Sequence, residues 1–426
     1  MTTRIRHRVL AACIALGAIT YMDRVAISIT SKDIAKDLGL SDYQMGFVFS
    51  AFTLAYAAFE IPTGWWGDRI GTRAVLTRIV VWWSSFTIFT AWAFNYASLL
   101  TIRFLFGIGE AGAWPNVGRT LSRWFPLHER GRAQGIFFTG AHGGGAVTPL
   151  LATFLLGYMD WRGVFIVFGS IGFFWAAAWY WWFRNEPRDH PSVSAAELAL
   201  IESGRGEAEH HDLKGVPWKR ILTSKNVLLL CMAYFSQSYG FYFFITWLPT
   251  YLARERGFEA IRLGLYAALP WICCVGADIF GGITTDWMSR KLGVRLGRAL
   301  VAGSSFVFAS VCMVAGTAAD EPRTAAFLLA LSAGWASFLL GASWGTALDI
   351  AGPNAGVVGA CMNTAGQIGG ILSPIVIGFV LKTWANWTVP LYVTGALFLL
   401  GAFCWLFIDP RVPITPRVEK VEAVRG

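Results

Sequence analysis

Four charged residues stand inside stretches that are otherwise apolar: Asp23 and Arg24 in the first, Arg103 and Glu110 in the fourth. A charge at the depth of hydrocarbon costs several kcal/mol unless it is paired or faces a water-filled cavity. Two of each sign therefore imply a polar cavity inside a membrane-embedded bundle. Arg24 stays protonated and offers a planar fork of donors matched to a carboxylate. Arg103 and Glu110 are seven residues apart, so a helix presents both within about 20° of one another. With the cavity empty, Asp23 and Glu110 can balance Arg24 and Arg103. An anion that takes Arg24 leaves a carboxylate without its partner, and a proton is the cheapest replacement. The chemistry in view is joint binding of an anion and a proton. The competing reading of either acid is a permanent structural salt bridge.

Composition puts these charges in a membrane. Hydrophobic residues make up 55% of the 426 and charged residues 14%, with a mean hydropathy of +0.51. Soluble domains carry about 25% charged residues. At roughly 20 apolar residues per crossing, twelve spans are predicted in an all-α membrane protein. They lie near 9–31, 45–66, 74–95, 97–118, 133–157, 162–183, 225–252, 262–285, 299–319, 324–347, 357–381 and 388–409. Arg4, Arg6 and Arg8 before the first span give it the layout of a signal peptide. Its apolar run is too long and carries Asp23–Arg24, so it reads as a retained span.

The net charge of +9 would suggest nucleic acid in a soluble chain, and its placement excludes that partner. Of 35 Lys and Arg, 25 flank one side of the spans and 8 the other, the remainder being Arg24 and Arg103. This bias is the positive-inside rule and puts both termini in the cytoplasm of a cell with an inner membrane, with lipid as a partner. All seven cysteines fall in apolar spans without metal-ligand spacing, and His210–His211 lie in a polar linker. No metal or cofactor is expected. No nucleophile with a base partner and no phosphate-cradling loop stands out, so an enzyme is not expected.

Residues 184–224 form the one long polar stretch, in which Ser194 to Glu197 reads as a capping box before a short helix. It divides the chain into a six-span unit at 1–183, a cytoplasmic linker, and a six-span unit with tail at 225–426. The units repeat. Gly64 to Arg69 is echoed by Gly282 to Trp287, and His142, Gly145 and Pro149 align with Gln367, Gly370 and Pro374. Parallel six-helix repeats suit alternating access, with substrate bound where the halves meet. Glycines in spans four, five and eleven allow close backbone approach. Trp65, Trp66, Trp181, Trp182, Trp384 and Trp387 near span ends fit interfacial belts.

The loop between spans two and three reads Gly64-x3-Asp68-Arg69-x-Gly71-x-Arg73, which resembles the hallmark motif of the major facilitator superfamily. Arg103-Phe-Leu-Phe-Gly-Ile-Gly-Glu110-Ala-Gly112, Trp114-Pro-Asn116, Trp124-Phe-Pro126, Tyr21-Met-Asp-Arg24 and Tyr239-Gly-Phe-Tyr242-Phe243 narrow the likeness. They resemble the anion:cation symporter family, which includes hexuronate, glucarate and galactonate carriers as well as sialic acid and vesicular glutamate carriers. The resemblance implies the twelve-helix major facilitator fold and proton- or ion-coupled movement of carboxylates, sugar acids foremost. It assigns Glu110 and Asp23, with Arg103 beside them, to proton coupling, and Arg24 to the substrate. Asp68, with Arg69 and Arg73, is implied to hold one conformer across the interface between halves.

Depth and polarity add Tyr21, Tyr56, His142, Tyr239, Tyr242, Trp344, Asn363 and Gln367 as candidate substrate contacts. Tyr21 shares a face with Arg24, as Asn363 does with Gln367. For each aromatic, ordinary core or lipid-facing packing is the competing reading. Glu60 lies eight residues before Asp68 and Asp278 eight before Asp286, so these acids are expected in gating or helix pairing. The expectation is a monomeric importer of small organic anions with protons. A proton-independent facilitator or exchanger is the nearest rival, and a non-transporting anion sensor a more distant one.

Overall fold

A computed structural model describes residues 4–202, 218–351, 355–412 and 414, and every regular element among them is helical. The first half runs α1 (Ile5–Leu38), α2 (Asp42–Ile70), α3 (Thr72–Thr90), α4 (Tyr96–Glu110), α5 (Ala113–Trp124), α6 (Leu127–Leu156) and α7 (Trp161–Trp182). Two short helices, α8 (Ala195–Glu202) and α9 (Trp218–Thr223), belong to the linker. The second half runs α10 (Lys225–Thr246), α11 (Leu248–Arg254), α12 (Ala260–Leu292) and α13 (Val294–Ala318). It finishes with α14 (Pro322–Phe338), α15 (Leu340–Ala351), α16 (Ala355–Trp384) and α17 (Thr388–Phe407).

Three spans expected to be continuous are interrupted. The fourth breaks between α4 and α5, where Gly112 adopts a left-handed φ of +83°. A Cβ at Gly112 would lie 2.6 Å from Thr63 Cβ, so only glycine fits this crossing of α2. The seventh breaks at Trp247, two residues before Pro249, which has no N–H to continue the ladder. The tenth breaks at Leu339. Counting these as interrupted rods gives twelve among the described residues. Eight of them, the first and the sixth to twelfth, are long and apolar enough by themselves to cross a membrane. The fourth is split by its break into pieces of 15 and 12 residues.

Packing repeats as the sequence does. In the first half α1 packs on α6, α3 on α7 and α2 on α4; in the second α10 packs on α16, α13 on α17 and α12 on α14. The two sets meet along α6–α12 and α2–α16, with α1 touching α10 and α11. Contacts at the end where α1 stops and α2 starts are especially close. Arg254 Nη1 lies 2.6 Å from Asp42 Oδ1, Ser31 and Thr250 hydroxyls are 2.8 Å apart, and Ser50 donates to the Ile371 carbonyl at 2.7 Å. A Cβ added to Gly46 would sit 2.4 Å from the Pro374 carbonyl oxygen.

In the linker the Glu197 amide donates to Ser194 Oγ at 3.3 Å, as a capping box requires. The Glu197 carboxylate also accepts from the Ile5 and Arg6 amides, both at 3.1 Å, and so caps α1.

Gly46→Val should wedge the closed end apart. A cysteine at Ser31, buried here, in a background lacking native cysteines should then react several-fold faster with a maleimide. Unchanged labelling would show that this end does not depend on the Gly46–Pro374 approach.

Candidate functional site: a two-arginine cavity between the halves

Asn95 starts α4 with a capping box, accepting from Ser98 N at 2.8 Å, and Gly112 ends the span. Arg103 and Glu110 are thereby held two turns apart on a helix of fixed length, facing α1. Arg24 on α1 meets Glu110 there: Nε donates to Oε1 at 2.5 Å and Nη2 reaches the same oxygen. Glu110 is fully buried and its Oε2 has no hydrogen-bond partner. Aromatic faces enclose the Arg24 guanidinium, with Phe52 and Tyr56 centroids at 5.0 Å, Tyr21 at 5.6 Å and Trp114 at 5.8 Å. Desolvated cation–π contacts are each worth about 2 kcal/mol. They hold the guanidinium in place when the carboxylate contact loosens.

Arg103 is arranged differently. It is 2% exposed, its Nε and Nη1 have no hydrogen-bond partner, and its guanidinium lies 4.4 Å from the Phe106 centroid and 5.5 Å from that of Phe52. Glu110 and Asp23 both act on Arg103 electrostatically, without forming a salt bridge to it among the described residues. Asp23, 1% exposed, faces Trp83 and Thr87, and neither carboxylate oxygen has an aligned hydrogen bond. Two adjacent residues on a helix point about 100° apart, so Asp23 looks into the first half while Arg24 looks out of it.

A small cavity opens beside these groups. Arg24, Ile27, Phe49, Phe52, Thr53 and Arg103 line it from the first half, and Tyr242, Ile245 and Thr246 from the second. No acidic residue is among them. Tyr242 donates to Gln367 Oε1 at 3.3 Å, which joins two of the sequence candidates on one wall. Tyr56 is buried with an unpartnered hydroxyl against Arg24. Tyr239 is 4% exposed and beside Phe235, and the structure does not bring it to the cavity lining. Trp344 is 42% exposed and stands edge-on to Tyr234 at 6.1 Å.

The two mirrored acids each reach across to the other half. Asp278 Oδ2 on α12 lies 2.5 Å from His142 Nδ1 on α6. Glu60 Oε2 on α2 accepts from Asn363 Nδ2 on α16 at 3.3 Å. Sequence reasoning placed the acids with gating and their partners with substrate; the structure joins one from each group. His142 also packs on Tyr21, with ring centroids 5.5 Å apart, and Trp271 lies 5.2 Å from Tyr21 and 6.1 Å from His142. These links put the strut against the Arg24 cage.

Of the gating candidates, the Asp68 side chain lies outside the described residues. Arg73 Nε donates to the Tyr180 carbonyl at 2.7 Å, and the Arg73 amide donates to Asn185 Oδ1 at 2.9 Å. Asp286 is exposed. The nearby ion pair is instead Arg298–Asp349 at 2.6 Å, joining α13 to α15, which sequence reasoning missed. Beyond α17, a hydrogen bond from Arg411 holds the Asp409 carboxyl down at about 2. Phe52 and Trp271 were also missed, although Phe52 is four residues before Tyr56 and Trp271 seven before Asp278, on the same helical faces.

A helical bundle of two repeated halves around a buried, charged, mid-span cavity defines a membrane carrier rather than an enzyme. The chain belongs to the major facilitator superfamily, whose family model matches residues 13–374. It is 34% identical to a probable sulfoacetate transporter of Cupriavidus necator, over 99% of this chain and 97% of that one. It is 30% identical both to a probable galactarate/D-glucarate transporter of Bacillus subtilis and to a D-galactonate transporter of Escherichia coli. Those alignments each cover 95% of this chain, with 92% and 96% of the relatives. In fold it is similar to a bacterial homolog of the human lysosomal transporter Spinster in an inward-facing, occupied conformation. The TM-score is 0.76 at 19% identity, covering 96% of this chain and 97% of that one.

If the His142–Asp278 bridge is a strut, His142→Gln and Asp278→Asn should be non-additive on unfolding. A double-mutant cycle is expected to give an interaction energy of about 1 kcal/mol or more. Strict additivity would remove the bridge from the energetics of this conformer.

Proposed function

We propose that this chain imports a small organic anion together with protons by alternating access. The units at 1–183 and 225–426 rock about the cavity, and the closed end is the outer one. Arg24 anchors an acid group of the substrate, and Glu110 accepts a proton when it loses Arg24. The observation that carries this reading is the buried Arg24–Glu110 ion pair, whose arginine lines a cavity with no acidic residue in its lining. Removing one partner from a buried pair costs about 3–5 kcal/mol because an uncompensated charge remains. Protonation of Glu110 removes that charge, so anion and proton favour each other's binding reciprocally. Asp23, buried on the far side of α1, is a second place where a proton can be held.

The names of the relatives support the substrate class: sulfoacetate, galactarate, glucarate and galactonate are all small organic anions. Hydroxylated substrates would meet Tyr242 and Gln367 on the opposite wall. Tyr21 and Tyr56 flank the Arg24 guanidinium, and His142 packs on Tyr21. Localisation in a cytoplasmic membrane with both termini inside accords with the distribution of Lys and Arg.

Purified protein in liposomes should accumulate such an anion when the outside is acidic, and Arg24→Ala should abolish uptake. Glu110→Gln should retain counterflow at symmetric pH yet lose accumulation driven by a pH gradient. Accumulation by Glu110→Gln equal to that of the wild type would remove Glu110 from coupling. Wild-type flux indifferent to an imposed gradient would replace symport with exchange.

A further inference from the structure

We infer that Arg103 is the anchor for a second acid group, so that the cavity is built for short dianions with one head on Arg24 and the other on Arg103. This rests on the anion-transport reading and goes beyond it in substrate charge and in the role of Arg103. The two arginines that line the cavity are in opposite conditions. Arg24 is engaged by Glu110, whereas Arg103 has no carboxylate within 4.0 Å among the described residues and two nitrogens without a partner. Glu110 is committed to Arg24, and Asp23 faces Trp83 and Thr87.

A guanidinium that is 2% exposed and unpaired is expensive to keep. Aromatic contacts with Phe52 and Phe106 offset only part of that cost. Apart from Arg24, every residue lining the cavity with Arg103 is neutral, so no acid in the lining competes for the free donors. The missing partner is best supplied by what enters the cavity. A carboxylate or sulfonate suits this group, as a charge-assisted acceptor for donors that no protein atom satisfies.

Spacing fixes the kind of anion. Arg24 Cζ lies 5.0 Å and Arg103 Cζ 5.5 Å from the same Phe52 centroid, so the two guanidinium carbons are at most about 10.5 Å apart. A bidentate pair holds the acid carbon about 4 Å from the guanidinium carbon. The two heads of one substrate can therefore reach both arginines when a chain of a few carbons links them. The first head meets Arg103 without displacing any protein carboxylate. Only the second head, at Arg24, displaces Glu110.

The test is binding to the full-length protein in detergent, measured by thermal shift and calorimetry with matched probes. Malonate is compared with malonamate, and sulfoacetate with isethionate, each pair differing in one acid group. The wild type should bind the dianion of a pair at least tenfold more tightly. Arg103→Gln should bring dianion affinity down to that of the monoanion, and Arg103→Lys, which keeps the charge without the fork, should fall between. Equal affinity of the wild type for both members overturns the inference, as does a dianion preference that survives Arg103→Gln. If Arg103→Gln does not fold, the wild-type ratio and Arg103→Lys still decide. Absence of binding by all four probes would overturn the anion-transport reading itself, whereas binding of monoanions alone would leave that reading intact and sink only this one.

Discussion

A charged group in a low-dielectric interior must find a compensating charge, and Arg24 finds it in Glu110 on the wall of the cavity. Breaking such a pair leaves a buried charge worth about 3–5 kcal/mol, larger than the net contribution of a hydrogen bond. In the proposed cycle an entering anion settles that charge with a head for Arg24 and a proton for Glu110. The aromatic faces of Phe52, Tyr56, Tyr21 and Trp114 surround the Arg24 guanidinium. The pair is buried, and its arginine lines the cavity.

The halves divide the labour unequally. The first supplies both arginines and Glu110; the second faces them with Tyr242, Ile245 and Thr246, and with Gln367 behind Tyr242. Between them run two links related by the repeat, Glu60–Asn363 and Asp278–His142. Each crosses from one half to the other. His142 packs on Tyr21, which packs on Arg24, so one link is in contact with the arginine that lines the cavity.

Much of this was legible in the sequence. Charges inside apolar runs announced the cavity, and the seven-residue spacing of Arg103 and Glu110 put both on one face of α4. The offset between Glu60 and Asp278 announced that these acids are equivalent, because a repeat preserves the depth of a residue in its helix. What escaped was each partner. His142 and Asp278 are 136 residues apart, and no local spacing encodes which face of α6 meets which face of α12. The fourth span was read as continuous because apolar length cannot reveal a break, although Gly112 marks it. Arg298–Asp349 went unseen because both lie near span ends, where charges are ordinary.

By itself, the sequence determined that the chain lies in a membrane, that it is built twice over, and that two cations and two acids share its interior. Local physics suffices for this, since hydropathy, helical periodicity and the cost of a buried charge act on each segment separately. Only the tertiary structure decided that Glu110 takes Arg24 while Asp23 turns toward Trp83, leaving two Arg103 nitrogens without a hydrogen-bond partner. That choice depends on how α1 rotates against α3 and α4 as they pack, and electroneutrality alone permits either pairing.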